Sequence, residues 1–185
     1  MRYEILLALE ARNDLRRLKA NVRAAVRDAV ERHLRHEPTK LSKSRIKRLC
    51  GLSHPQYRLR VEDVRVFYDV TESTVEVLAI VPKSEAEAWL SQAGEPQQKR
   101  KKPMKKVALS EVKDDLSKYL RRAEKEGIII TRHGKPAGVL IGFADEEDWF
   151  DYCLENDPRF LQRIAAARAS LRAGHGVRLE DTLSD

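Results

Sequence analysis

The spacing of apolar positions changes several times along the chain, and each change marks a new element. Residues 1–8 begin with a short extended run, RYEILLA. From Glu10 to His36 the residues Leu15, Leu18, Val22, Val26, Val30 and Leu34 recur at the three- and four-residue intervals of one helix face. Asn13-Asp14 or Asn21 is placed to interrupt that run and fold it into a helical hairpin, and Glu37-Pro38 ends it. The period then drops to two. The runs YRLRV, VRVFYDV and TVEVLAIV alternate, and Val-Glu-Asp and Thr-Glu-Ser-Thr divide them into a meander of strands. Residues 84–90, SEAEAWL, read as a helix capped by Ser84 with Glu87 at the capping-box position.

The stretch 94–103, GEPQQKRKKP, has no apolar side chain and reads as a linker. A new pattern follows it. KVAL predicts a strand. Ser110 then predicts the N-cap of a helix with Val112, Leu116, Tyr119, Leu120 and Ala123 on its apolar face and Gly127 as C-cap. IIIT, RHGK and PAGVLIGF predict a hairpin. Acids load the first turn of a helix at 145–154, which suits the helix dipole. Asp157 and Pro158 start another, striped by Phe160, Leu161, Ile164, Ala167 and Leu171 and stopped by Gly174. Too little apolar material follows Leu154 for an independent core, so that end is expected to be partly disordered or to order against a partner. The class is α+β, divided as 1–93, a linker at 94–103, 104–144, and a trailing segment 145–185.

Charge changes this picture most in the meander. Period two places Arg58 and Arg60 on one face and Tyr57, Leu59 and Val61 on the other. Arg65 follows one turn later and Lys83 closes the third strand, so four cations converge on one side of a small sheet. Aligned cations repel and are costly to desolvate, and such a cluster fits phosphates or a partner's carboxylates. The competing reading is a solvated face with ion pairs to Glu62, Asp63, Asp69 or Glu76. Just upstream, KLSKSRIKRL adds Lys43, Arg45 and Lys47 as further candidate phosphate contacts. The net charge of +7 favours a polyanionic partner, and it is unevenly spread. Residues 1–103 hold 22 Lys/Arg against 14 Asp/Glu, whereas 145–185 hold 5 against 10, so an acidic end is available to cover a basic cluster.

No apolar run reaches the ~18 residues of a membrane span, and the acids in MRYEILLALEARNDL argue against a signal peptide. Cys50 and Cys153 lack a CxxC or paired spacing and read as free thiols of a reducing, cytoplasmic compartment. His33 and His36 have ligand spacing but no third ligand nearby, so neither a metal nor another cofactor is expected. Gly134 in RHGKP reads as a turn glycine.

Two resemblances follow from these motifs. Residues 1–93 resemble the RelE/ParE toxin superfamily in their order of strand, helical hairpin, basic segment and meander. The phrase YRLRVEDVRVFYDV, ending in VLAIVPKSEAEAWL, carries the match. Residues 104–185 resemble the Phd/YefM antitoxin family through MKKVALSEVKDDLSKYL and IIITRHGKPAGVLI. The resemblance implies an antiparallel sheet packed on a helical pair, then a small α/β dimerisation domain with a helical extension that wraps the toxin. It implies either cleavage of messenger RNA at the ribosome, as in RelE-type members, or inhibition of DNA gyrase, as in ParE-type members. A third reading is a DNA-binding autorepressor with a degenerate toxin half.

By position in YRLR and VRVFY, Arg58, Arg60 and Arg65 match the active-site cations of the first family, and Lys83 falls near a further one. Arg65 is expected to meet transition-state charge while Arg58 and Arg60 hold phosphates. Trp89 falls where some members carry a tyrosine; it is placed either to stack on a base or to pack a terminal helix on the sheet. Metal-free RNA cleavage also needs a proton acceptor. Arginine is a poor base and Trp89 has no titratable proton, which leaves Lys83, His54 or Tyr68 and no assignment. In the second half Lys105, Lys106, Lys113 and Arg132 are expected near one edge. Lys113 and Arg132 sit where that family contacts operator DNA as a two-fold dimer; a plain dimerisation domain with a basic rim is the alternative. Trp149, Phe150, Phe160, Leu161 and Ile164 are expected to pack on the toxin half, of the same or a neighbouring copy, with nearby acids competing for its cationic site.

Overall fold

The computed structural model describes residues 2–42, 45–49, 53–86 and 104–184. Lys43, Cys50, Gly51, Trp89 and the linker expected at 94–103 lie outside them. In chain order the elements are β1 (Glu4–Leu7), α1 (Leu9–Arg17), α2 (Ala20–Leu34), β2 (Ile46–Arg48), β3 (Tyr57–Val61), β4 (Val64–Val70), β5 (Thr74–Pro82), β6 (Lys105–Ala108), α3 (Leu109–Asp114), α4 (Leu116–Ala123), β7 (Ile128–Arg132), β8 (Lys135–Leu140), α5 (Glu146–Glu155), α6 (Pro158–Arg172), β9 (Val177–Arg178) and a 3-10 turn (Glu180–Ser184). They form two compact units, Met1–Gln98 with Leu154–Asp185, and Lys99–Cys153. The final thirty or so residues therefore belong with the first.

In the first unit a six-stranded sheet runs β2-β3-β4-β5-β1-β9. β1 lies parallel to β5, and the other pairs are antiparallel. The expected hairpin forms, but it breaks at Leu18 and Lys19, both extended, rather than at an Asn or Asp. The reason lies in tertiary structure. β1 pairs β5 only as far as Val77, and the Ile80 N–H beyond it donates to the Asp14 carboxylate at 3.0 Å. Asp14 is thus engaged by the sheet instead of breaking the helix. The helix expected to start at Ser84 has already begun at Lys83.

Cross-strand register defines the two faces of this sheet. Leu59, Val66 and Ile80 lie abreast on one, beside Tyr57, Tyr68 and Val77. This apolar face meets Leu15, Val26 and Val30 of the hairpin around a small void, and Leu179 from the end of the chain completes the lining. On the other face Lys47, Arg58, Phe67 and Ala79 lie abreast, and Arg60, Arg65 and Val81 form the next row. A bulge between Phe67 and Tyr68 leaves Leu78 without an opposite number.

α6 crosses this second face. Asp157 caps it, accepting from the N–H groups of Arg159 at 2.8 Å and Phe160 at 3.4 Å, with Pro158 at the first position. Gly174, at φ 80°, ends it as expected; the Gly174 and His175 N–H groups donate to Leu171 and Ser170 carbonyls. Phe160, Ile164 and Ala167 are buried, and α6 packs on β5 and α1. β9 then adds to the β1 edge, and Leu179 N–H donates to Ile5 O at 3.0 Å. The chain end is ordered by the first unit rather than by a core of its own.

The second unit is a three-stranded sheet, β6-β7-β8, with a core of Val107, Val112, Tyr119, Ala123 and Ile128. The hairpin turn uses His133 and Gly134, both at positive φ, which suits the twist of paired strands. The single helix expected from Ser110 is instead two. Ala108 occupies the first cap position, and Asp115 breaks the run at φ −144°, its carboxylate accepting from Lys118 N–H at 3.0 Å. The break turns Leu116 and Leu120 outward, so only Val112, Tyr119 and Ala123 of the expected apolar face are buried. α4 ends at Ala123, ahead of the expected cap at Gly127, because Lys125 and Glu126 N–H groups converge on Arg122 O.

Candidate nucleic-acid interface

The cationic face is assembled at the β3–β4 turn. Val61 pairs with Val64, which leaves a two-residue connection, and Glu62 adopts φ 51°. A non-glycine residue at positive φ is uncommon, and here its effect is specific. The Glu62 carbonyl accepts from Arg65 Nη1 at 2.9 Å and from Arg60 Nε at 3.4 Å. Lys83 N–H donates to Asp63 O at 2.7 Å, which holds Lys83 beside the same turn. The register then adds Arg58 and Lys47 one row along. Four expected site cations and Lys47 therefore share one region. Arg45 is exposed nearby and reaches toward His33 Nε2 at 3.5 Å. Burial and the charges of Arg45 and Arg32 lower the His33 pKa.

Solvation of this face fails at Arg58 and Arg65. Arg58 is 2% exposed and Arg65 0%, while Arg60, Lys47 and Lys83 are half-buried. Guanidinium groups are seldom so enclosed, since desolvation opposes it. The trailing segment covers this face. The Phe160 ring meets Phe67 edge-on at 4.8 Å between centroids, and Arg168 Nε lies 3.3 Å from Asp69 Oδ2.

The docked segment also makes ion pairs with the first half. Arg163 and Arg168 engage Asp14 and Asp69, Arg178 engages Glu4 at 2.7 Å, and Glu180 engages Arg35 at 2.5 Å, away from the cluster. Arg35 is itself buried and bonds Glu31 and the Tyr3 carbonyl. An open cavity of about 410 Å³ adjoins this node, lined by Arg2, Tyr3, Arg35 and Glu180 among others. α6 itself carries arginines and no acid; the trailing acids precede and follow it.

The carboxyl pKa values reflect this arrangement. Burial raises Asp14 despite the Ile80 N–H and Arg163. The Arg35 side chain lowers Glu31, and a backbone N–H together with Arg35 lowers Glu180. The Arg159 side chain lowers Asp157. Sequence reasoning missed Asp14, Arg35, Arg163 and Arg168 as docking residues. The acid-free composition of α6 was the available signal.

The segment expected to neutralise the first half divides. Phe160 and Ile164 are buried within the first unit and Leu161 is half-buried. Phe150 is buried, and Trp149 is 47% exposed and packs with Phe143 and Tyr152 in the second unit. Of the remaining base candidates, Tyr68 lies on the apolar face, donates to Pro38 O at 2.6 Å, and has its pKa raised by burial. His54 Nδ1 lies 2.7 Å from Asp69 Oδ2.

In the second unit Lys105, Lys106, Lys113 and Arg132 are all exposed, but they do not share one edge. β6 and β7 are parallel, with Lys105 opposite Ile128 and Ala108 opposite Thr131. Arg132 therefore lies about 13 Å along the strands from Lys105 at ~3.3 Å per residue. Lys105 and Lys106, as strand neighbours, point to opposite faces.

Comparison with known proteins bears on both halves. Residues 5–87 match the family model for the ParE toxin of the type II toxin-antitoxin system parDE, and residues 104–180 match that for the Phd_YefM antitoxin of type II systems. A search of curated proteins gives no match. Among solved structures, the RelBE2 toxin-antitoxin complex of Mycobacterium tuberculosis is similar at 24% identity, covering 44% of this chain and 99% of that one, with a TM-score of 0.40. The RelB-RelE complex of Methanococcus jannaschii follows at 21% identity, 45% and 96% coverage, and a TM-score of 0.37. The RelE-RelB complex of Pyrococcus horikoshii has 25% identity, 45% and 97% coverage, and a TM-score of 0.36.

Proposed function

From the premise that this chain joins a toxin-family domain and an antitoxin-family domain of type II toxin-antitoxin systems, we propose that residues 1–93 are a metal-independent, RelE-like messenger RNA endonuclease held inactive by the end of the same chain. The observation that carries this reading is the cationic face, with Arg58 and Arg65 buried, Arg60 half-buried beside them and α6 packed on the neighbouring Phe67. Fixed guanidiniums align a phosphodiester and neutralise the charge that develops as the ribose 2′-oxygen attacks phosphorus. Arg65, braced by the Glu62 carbonyl, meets the transition-state charge; Arg58 and Arg60 hold the flanking phosphates. Lys83, Lys47 and Arg45 extend the electropositive path, to which Lys43 and Trp89 are assigned by sequence alone. No cofactor enters this scheme. With α6 seated, Phe160 occupies the approach to Phe67 and the arginines.

One observation favours a second reading. The first half matches the ParE family model, and a gyrase inhibitor needs no proton acceptor. Residues 1–93 alone separate the two. Primer extension on translated messages reports cleavage, and a supercoiling assay reports gyrase inhibition. Under the nuclease reading the first is positive and Arg65→Ala abolishes it; cleavage-free growth arrest with blocked supercoiling would favour the second. Unchanged viability would remove both.

For the second unit we propose operator binding and autorepression by a homodimer through 104–144. Lys113 and Arg132, both exposed, are the assigned phosphate contacts. Leu109, Leu116 and Leu120, at 43%, 50% and 41% exposure, supply an apolar surface for a second copy. A gel shift on upstream DNA that is insensitive to Lys113→Ala and Arg132→Ala would count against it.

A further inference from the structure

The RNA-cleavage reading lacks a proton acceptor, and the structure holds a pair of residues outside the arginine row that has the form of one. His54 precedes β3. Its Nδ1 is 2.7 Å from Asp69 Oδ2, and its side chain is 31% exposed while that of Asp69 is 4% exposed. Asp69 is fixed from the other side as well: its Oδ1 accepts from Gln56 N–H at 2.8 Å, and Gln56 Oε1 accepts from Val70 N–H at 3.1 Å. The carboxylate is thus enclosed and oriented, and the imidazole beyond it reaches solvent.

Alternation along β4 puts Asp69 on the same face as Phe67 and Arg65. Arg58 is directly opposite Phe67, which makes Asp69 its diagonal neighbour across the strand pair, on the order of 7–8 Å away. The pair therefore adjoins the phosphate-holding arginines. The same Asp69 oxygen is reached by Arg168 of α6 at 3.3 Å. The docked helix packs on Phe67, which lies opposite Arg58, and also engages the carboxylate bonded to His54.

We propose that His54, oriented by Asp69, is the proton acceptor of the first unit, with Asp69 as its positioning residue and Arg168 as the contact through which the trailing helix restrains the pair. This rests on the nuclease reading and extends it. A carboxylate that accepts from Nδ1–H leaves Nε2 as the basic nitrogen, turned away from Asp69. Nε2 takes the 2′-hydroxyl proton as the 2′-oxygen bonds to the adjacent phosphorus and the bond from phosphorus to the 5′-oxygen breaks. The 5′-oxygen takes a proton from water, and the imidazolium returns its own to solvent. The products are a 2′,3′-cyclic phosphate and a 5′-hydroxyl, with no change of oxidation state.

The test uses the full chain with its lock weakened by Phe160→Ala and Arg168→Glu, and a short single-stranded RNA or a translated message as substrate. Cleavage is followed in this parent and in the same chain carrying His54→Ala or Asp69→Asn. We expect His54→Ala to lose about 100-fold or more in cleavage rate, the usual scale of general-base loss, and to recover part of it in millimolar imidazole. Asp69→Asn should fall less and gain nothing from imidazole. Parental cleavage by His54→Ala, or a loss that imidazole does not relieve in a chain of unchanged melting temperature, would overturn the assignment while leaving the nuclease reading intact. A weakened-lock parent that binds RNA and does not cut it would remove the nuclease reading and this assignment together.

Discussion

The two faces of the six-stranded sheet are both covered, but by different means. One face is aliphatic, and the α1–α2 hairpin that precedes the meander in the chain seals it with Leu15, Val26, Val30 and Leu34. The other carries arginines around Phe67, and α6, from the far end of the chain, seals it with Phe160, Ile164, Ala167 and a few ion pairs. A cover made of many aliphatic side chains is permanent on the timescale of the fold. A cover resting on one aromatic ring, two smaller side chains and charge pairs can be removed. The difference separates what folds the first unit from what is proposed to restrain it.

Phe160→Ala should have the largest effect on the removable side. It deletes a fully buried ring, and we expect a loss of about 3–5 kcal/mol from the docking of α6. Hydrogen exchange across 158–172 would register it as lost protection, while the strands β3–β5 stay protected. Equal loss in both would mean that the two faces form one cooperative core. Arg163→Ala leaves the enclosed Asp14 with only the Ile80 N–H, and should cost roughly 2–3 kcal/mol in urea unfolding. Removing the helix cap with Asp157→Ala should cost about 1 kcal/mol.

Smaller effects sharpen the electrostatic side of the contrast. Glu180 is half-exposed, so Glu180→Gln should cost under about 1 kcal/mol and less at high salt. Its pH signature is more specific. Glu31, Asp157 and Glu180 titrate below their ordinary values in the folded chain. Their contribution is present above the ordinary carboxylate range and is lost as pH falls through the depressed values. Asp14 is raised, so acidification favours the folded state through that group. A melting temperature that falls less steeply with acid in Glu180→Gln than in the parent is the expected result. On the second unit, Leu116→Ser should change monomer stability by no more than about 0.5 kcal/mol, yet weaken self-association in sedimentation if the exposed leucines face another copy.

Much of this contrast was legible in the order of residues. Period two in YRLRV and VRVFYDV separates the arginines from Leu59 and Val66, and register confirms it. Asp157-Pro158 marks the start of α6 because the cap is a local device. The features that depend on distant parts of the chain were not legible. Asp14 resembles a helix breaker until Ile80, sixty-six residues later, claims its carboxylate. β9, two residues long, carries no periodic signal and exists only because β1 offers an edge. Asp115 ended a helix that the apolar spacing continued, since one side-chain cap outweighed the pattern. The pairing of His54 with Asp69 joins a loop to a strand, and neither residue announces the other.

If the trailing helix restrains the proposed nuclease, its removal opens the arginine face to RNA. Primer extension on a translated message, comparing the full chain with one ending at Cys153, tests it most directly. New cleavage ends are expected with the shortened chain and none with the full chain. The same ends at the same intensity from both, or none from either while the shortened chain remains folded, would contradict it.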